Sequence, residues 1–144
     1  SISQTLRRFV AQRANGCCKY CLLHQDDSPE THQIDHILAI RHKGKTRREN
    51  LAYACAECNR NKGTDFGTID SVTGEVIFLF NPRKQNWLDH FRLEGAQFIG
   101  LTKTGKATIE LLRLNDDHRL LERETLIAAE CYPRFFQAGT VNAN

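Results

Sequence analysis

Two Cys-x-x-Cys pairs, Cys18 with Cys21 and Cys55 with Cys58, constrain this chain more than any other feature. A Cys-x-x-Cys at a turn aims both sulfurs at one ion, and two such pairs supply the four thiolates of a tetrahedral zinc site. One pair alone could equally be a redox dithiol; the second pair decides for zinc. Cys17 cannot join the tetrahedron without straining the turn, so the expected ligands are Cys18, Cys21, Cys55 and Cys58. Six Cys without an export signal argue for metal or free thiols rather than a disulfide framework. The gap between the pairs exceeds that of a plain zinc ribbon, so the intervening segment must carry something of its own. It carries Asp35-His36, with Asn50 fourteen residues past the His, and Asn59 and Lys62-Gly63 follow the second pair.

Charge gathers on the same stretch. Residues 31–63 hold Arg41, Lys43, Lys45, Arg47, Arg48, Arg60 and Lys62 against Asp35, Glu49 and Glu57, a surplus of +4 in a chain whose net charge is +3. A basic surplus on the motif suits a polyanionic partner; the bland alternative is a solvated basic loop. The N-terminal residues lack the apolar core of a signal peptide and no run of about 18 apolar residues occurs, which predicts a cytoplasmic protein without a membrane span. The length of 144 residues fits one domain, 1–144, with residues 17–63 as core and 64–144 as an extension packed on it.

The pattern predicts an α+β chain. Ser3 to Ala14 shows helical apolar spacing at Leu6, Phe9 and Val10, with Ser3 as cap and Asn15-Gly16 as stop. Thr31 to Ile37 reads as a strand with Ile34 buried, Arg41 to Glu49 as a basic loop, Leu51 to Cys55 as a second short strand, and Ala56 to Lys62 as a helix stopped by Gly63. Further on, Asp70 to Gly74 is a turn and Glu75 to Phe80 a strand that Asn81-Pro82 ends. Phe91 to Leu101 forms strands, and Thr104 to Leu114 a helix or a strand. Asp116 to Cys131 is a helix capped by Asp116, with Leu120, Leu121, Leu126 and Ile127 on its core face. Val141 to Asn144 frays.

In order and at these spacings, Asp35-His36-Ile37, Asn50-Leu51, Cys55-x-x-Cys58-Asn59-x-x-Lys62-Gly63 and the upstream Cys18-x-x-Cys21 resemble the HNH endonucleases of the zinc-stabilised four-Cys subgroup. Asn59 fills the third letter of the motif in place of His, a common variant. The later stretch, from Leu79 to Arg83 through Trp87, His90-Phe91 and Gly105 to Thr108, looks like a tail found in bacterial HNH proteins. The resemblance implies a ββα-metal core with a structural zinc knuckle and a small strand-and-helix extension. It implies hydrolysis of phosphodiester bonds in DNA, with RNA not excluded, by a monomer or homodimer. Such chemistry needs a base for water and a cation for the developing charge. An imidazole's unperturbed pKa lies near neutrality, and His36 is the expected base. Asp35 and the amide oxygen of Asn59 are hard ligands for one Mg²⁺ or Mn²⁺. Asn50 is the brace that orients the His. Arg41, Lys43, Lys45, Arg47, Arg48, Arg60 and Lys62 are the phosphate contacts. Neighbouring strand residues face opposite ways, so the strand is expected to end or twist at Asp35-His36.

The competing reading is a zinc-stabilised nucleic-acid-binding module without turnover. Binding alone does not need Asp35, His36, Asn50 and Asn59 together. A redox dithiol protein is the third possibility, which the four-Cys arrangement disfavours. His32 reads as a strand-surface His, or as an accessory to the site. His24, His42, His90 and His118 read as ordinary, Cys131 as a buried thiol on the last helix, and Trp87 with Phe91 as core.

Overall fold

Short β-hairpins and helices build this chain around the cysteine pairs, as seen in a computed structural model that describes residues 2–134. Helix α1 (Gln4–Arg13) starts where the Ser3 hydroxyl accepts from the Leu6 N–H. It stops at Asn15 and Gly16, both with positive φ. The first Cys-x-x-Cys turn follows. Strand β1 (Gln33–His36) pairs antiparallel with β2 (Leu51–Ala54), Asp35 opposite Ala52 and His36 opposite Leu51. Helix α2 (Ala56–Lys62) is capped at its start by the Cys55 sulfur and ends at Gly63. The β1–β2–α2 unit is the ββα arrangement that the resemblance implies.

Between β1 and β2 the basic loop folds back on itself. Its Gly44 is obligatory by geometry: a Cβ there would lie 1.7 Å from the Leu38 carbonyl oxygen. Beyond α2, β3 (Gly67–Ile69) pairs with β4 (Val76–Phe78). After α3 (Trp87–His90), β5 (Phe91–Glu94) and β6 (Gln97–Gly100) form a third hairpin. Helices α4 (Lys103–Leu112) and α5 (Asp117–Ala128) complete the described chain. The segment from Thr104, open between helix and strand by sequence, is helical, and Thr102 caps it through the Gly105 N–H. Strand β3 carries too few residues to show a period.

One hydrophobic core joins the cysteine turns to the later hairpins. Tyr20, Leu22, Ala52, Ala54, Phe80, Trp87, Phe91, Phe98, Leu112 and Tyr132 are buried together. Trp87 and Phe91 are thus core, with rings 5.1 Å apart. Polar ties cross the same boundary: the Trp87 indole donates to the Tyr20 carbonyl, and the Tyr132 hydroxyl to that of Cys21.

Four expectations are corrected. On β1 the buried residue is Asp35, while Ile34 is half-buried. On α5 Leu121 and Ile127 are exposed, and the face turned inward carries Arg119 and Arg123 beside half-buried Leu120 and Leu126. Asp116 holds the N-cap position with its backbone, not its side chain. Cys131 lies past the helix and is half-buried. Val141 to Asn144 fall outside the described residues. Among those described, no helix is long and apolar enough to cross a membrane.

Candidate metal centre and catalytic cleft

The four expected cysteines meet. The sulfurs of Cys18, Cys21, Cys55 and Cys58 all lie within 4.8 Å of one another, and all four residues are buried. Those of Cys21 and Cys55 stand 3.6 Å apart. Tetrahedral zinc with sulfurs at about 2.3 Å requires edges of about 3.8 Å, so the cluster has the dimensions of a zinc site. The two turns are built alike, the Cys21 N–H donating to the Cys18 sulfur and the Cys58 N–H to that of Cys55, each at 3.4 Å. Burial and the other sulfurs push the Cys58 thiol well up, whereas hydrogen bonds from the neighbouring thiols hold that of Cys21 well down. Several buried thiolates side by side need a cation, and the donor set suits zinc. Cys17 stays out of the cluster; burial pushes its thiol up to about 11.

A buried arginine faces the same sulfurs. Arg119 of α5 donates to Cys58 Sγ at 3.1 Å and Cys55 Sγ at 3.7 Å, and anchors on the Leu112 carbonyl at 2.9 Å. Burial works against its charge, yet Cys58, Cys21 and Cys55 outweigh that and raise its pKa. Zinc with four thiolates carries two excess negative charges, and Arg119 offsets one of them. Arg119→Leu is expected to weaken zinc binding about 10- to 100-fold, the usual effect of losing a group that supports the ligands. Competition against a chromophoric chelator measures it, and an unchanged affinity would reduce Arg119 to packing. No sequence signal marked Arg119, because its partners lie some sixty positions upstream.

Asp35, His36, Asn59 and Arg41 line one open cleft of about 280 Å³. Strand β1 ends at His36, which lets two neighbouring residues border one cleft. Asp35 is 3% exposed. Its Oδ2 accepts from the Tyr20 hydroxyl at 2.8 Å and its Oδ1 from Lys62 Nζ at 3.2 Å. Burial raises its pKa, with Lys62 and Tyr20 pulling the other way. Lys62 spends its remaining donors on the carbonyls of His36 and Ile37, at 3.2 and 3.1 Å. This corrects the sequence expectation: Lys62 is 2% exposed and clamps the end of β1 instead of meeting phosphate. Helix α2 aims it inward because Cys58 and Lys62, four apart, share its buried face.

Asn50 hydrogen-bonds across the loop. Its Nδ2 donates to the carbonyls of Leu38 and Lys45, and its Oδ1 accepts from the Leu38 N–H, each at 2.9 Å. Beside Lys45, Thr46 reaches His36 through a 2.9 Å bond between Oγ1 and Nε2. Hydrogen bonds thus link Asn50 to the loop and, through Thr46, the loop to His36; Thr46 carries no motif in the sequence.

The basic residues divide. Arg41 borders the Asp35–His36 cleft, while Lys43, Lys45 and Arg47 line a different one. Arg60 is exposed on α2. Arg48 instead lies over the Phe9 ring at 4.1 Å, and its carbonyl accepts from Arg13. His32 is neither at the cleft nor on the strand surface: it is buried, with Nε2 on the Leu23 carbonyl at 2.8 Å.

Comparison with known proteins agrees with this geometry. Residues 18–65 match the family model described as HNH endonuclease. The match spans both cysteine pairs and the cleft residues. The chain is similar to the Septu protein PtuB of Bacillus thuringiensis, 25% identical over 127 residues, which covers 87% of this chain and 47% of that protein. It therefore spans about half the length of that curated relative. No solved structure gives a significant match.

Proposed function

We propose that the chain carrying this HNH domain is a divalent-metal-dependent endonuclease that hydrolyses phosphodiester bonds in DNA. The observation that carries the reading is the shared cleft of Asp35, His36 and Asn59 inside the matched segment. A carboxylate and an amide oxygen suit a hard cation that keeps most of its waters. Asp35 has about four lone-pair sites, and its two internal hydrogen bonds leave acceptor capacity for such an ion. When bound, Mg²⁺ or Mn²⁺ would supply Lewis-acid stabilisation of the developing phosphate charge.

The chain's own groups do the rest. His36 takes the proton of the attacking water, its ring held by Thr46 while Asn50 holds the loop that carries Thr46. Arg41, on the rim of the same cleft, meets the substrate phosphate. Lys62 fixes the strand end, so Asp35 and His36 keep their relative placement through the reaction.

One observation favours the competing reading, a zinc-stabilised binding module without turnover: both Asp35 oxygens already have partners, one of them a cation. A supercoiled-plasmid assay separates the two. Zinc-replete protein is expected to nick plasmid on addition of Mg²⁺ or Mn²⁺ and not in their absence, with a structured RNA as a parallel arm. Binding without nicking in either metal would leave the module reading.

A further inference from the structure

The basic loop has a second side. Lys43, Lys45 and Arg47, all exposed, edge a cleft of about 720 Å³ whose lining includes Ile37, Leu38 and Asn50. Its far wall brings Phe66, Phe78 and the exposed Lys84. Phe66 is 41% and Phe78 62% exposed. Their rings lie 6.3 Å apart and 24° from parallel, and His42 meets Phe66 edge-on at 5.1 Å. Strand pairing keeps them there: Phe78 sits opposite Gly67, and the Leu79 N–H bonds the Phe66 carbonyl. Four exposed cations and the buried Lys62 line the cleft against one acid, Glu49.

We propose that this cleft binds the unpaired bases of a nucleic-acid strand, stacked on Phe78 and Phe66, while Lys43, Lys45, Arg47 and Lys84 hold its phosphates. The inference rests on the nuclease reading and deepens it: the strand offered to His36 is single-stranded or locally opened. Aromatic faces beside a cationic groove are the means by which proteins hold single strands, since every base has a π-face and stacking needs no particular sequence. A duplex hides those faces in its own stack and is read instead through groove-edge hydrogen bonds. Charge decides against a protein as occupant. The aliphatic residues exposed on the same hairpin, Ile69 and Val76, do not line the cleft; the aromatic pair does, and cations ring it. One hydrogen bond ties the loop that edges this cleft to the other cleft. Thr46, between Lys45 and Arg47, bonds His36, so the residues that would hold the strand sit on the same loop that touches His36.

Fluorescence anisotropy on the full, zinc-replete chain in divalent-free buffer tests this. The probes are labelled oligo(dT), oligo(rU), an abasic deoxyribose-phosphate strand and a duplex, each about fifteen nucleotides long. The base-bearing strands are expected to bind more tightly than the abasic strand and the duplex. Phe78→Leu, which keeps an apolar side chain at an exposed position, should weaken the base-bearing strands about 5- to 150-fold, leave the abasic strand unaffected, and be rescued by Phe78→Trp. A preference for dT or rU names the sugar and supports the proposal equally. Three results would overturn it: Phe78→Leu binding oligo(dT) as wild type does, equal losses on the abasic strand, or no strand bound, which would assign the aromatic pair to a protein interface. Because binding is read without Mg²⁺, its outcome is separate from that of the nuclease reading. Stacking without plasmid cleavage would sink the nuclease alone, and plasmid cleavage by a chain indifferent to Phe78→Leu would sink the stacking site alone.

Discussion

Cys58→Ser should leave no stably folded protein. Cys58 is fully buried, its sulfur lies within the four-cysteine cluster, and it takes the Arg119 hydrogen bond. Structural zinc contributes apparent folding free energy of about 10–16 kcal/mol in small zinc domains at neutral pH, as much as the whole stability of an ordinary domain, about 5–15 kcal/mol. The cysteine turns share one core with Trp87, Phe91 and Phe98, so their collapse reaches the later hairpins as well. Elemental analysis should fall from one zinc per chain to almost none, and the circular-dichroism melt should lose its cooperative transition. Cys17→Ser should keep the zinc, because Cys17 stands outside the cluster. A Cys58→Ser protein with full zinc and a wild-type melt would contradict the assignment.

Lys62→Met should cost about 3–5 kcal/mol, the usual penalty for breaking a buried ion pair from one side. The substitution keeps the apolar length of the side chain, but it strips Asp35 of its cation and the carbonyls of His36 and Ile37 of their donor. The pH dependence has a definite sign. Asp35 already has a raised pKa, and without Lys62 it rises further. A carboxyl whose folded pKa lies above its unfolded value favours the fold below the unfolded pKa and loses that benefit as pH rises through the folded pKa. The defect therefore deepens with rising pH. Asp35→Asn in the same chain should recover part of the loss, since it removes the stranded charge. Urea unfolding of the two single variants and the double gives the coupling directly. A Lys62→Met midpoint matching wild type would mean that the clamp carries no weight.

The parts of the molecule that could be read from sequence share one property: their determinants are local. Metal geometry fixes the spacing within each cysteine pair, and Cys18, Cys21, Cys55 and Cys58 come together as expected. Helix α2 was bounded by a capping Cys55 and a terminal Gly63, and the end of β1 at His36 followed from the alternation of strand side chains. Asn50 was assigned as a brace through the family likeness, and its three bonds fit that role. What was hidden depends on partners distant in the chain. Lys62 reads as one more cation in a basic stretch, and only the packing of α2 on β1 turns it to Asp35. Arg119 and Arg123 are cations on the helix face that carries Leu120 and Leu126, and only the thiolates and the carbonyls of Ala96 and Leu114, distant in the chain, account for charge buried there. Tyr20 lies between two ligands in sequence, and only the fold brings Asp35 to its hydroxyl. Thr46 has no motif of its own; loop closure through Gly44 and Asn50 carries it to His36.

The most direct test of the nuclease reading compares wild type with His36→Ala on supercoiled plasmid in Mg²⁺, both zinc-replete, with enzyme in excess so that chemistry limits the rate. His36 is half-buried, lines the cleft and is not among the four clustered cysteines, so zinc content and fold should be unchanged. Loss of general-base help should slow cleavage about 10²–10⁴-fold, and rising pH should restore part of it as hydroxide replaces the missing imidazole. Cleavage by His36→Ala at the wild-type rate would contradict the account.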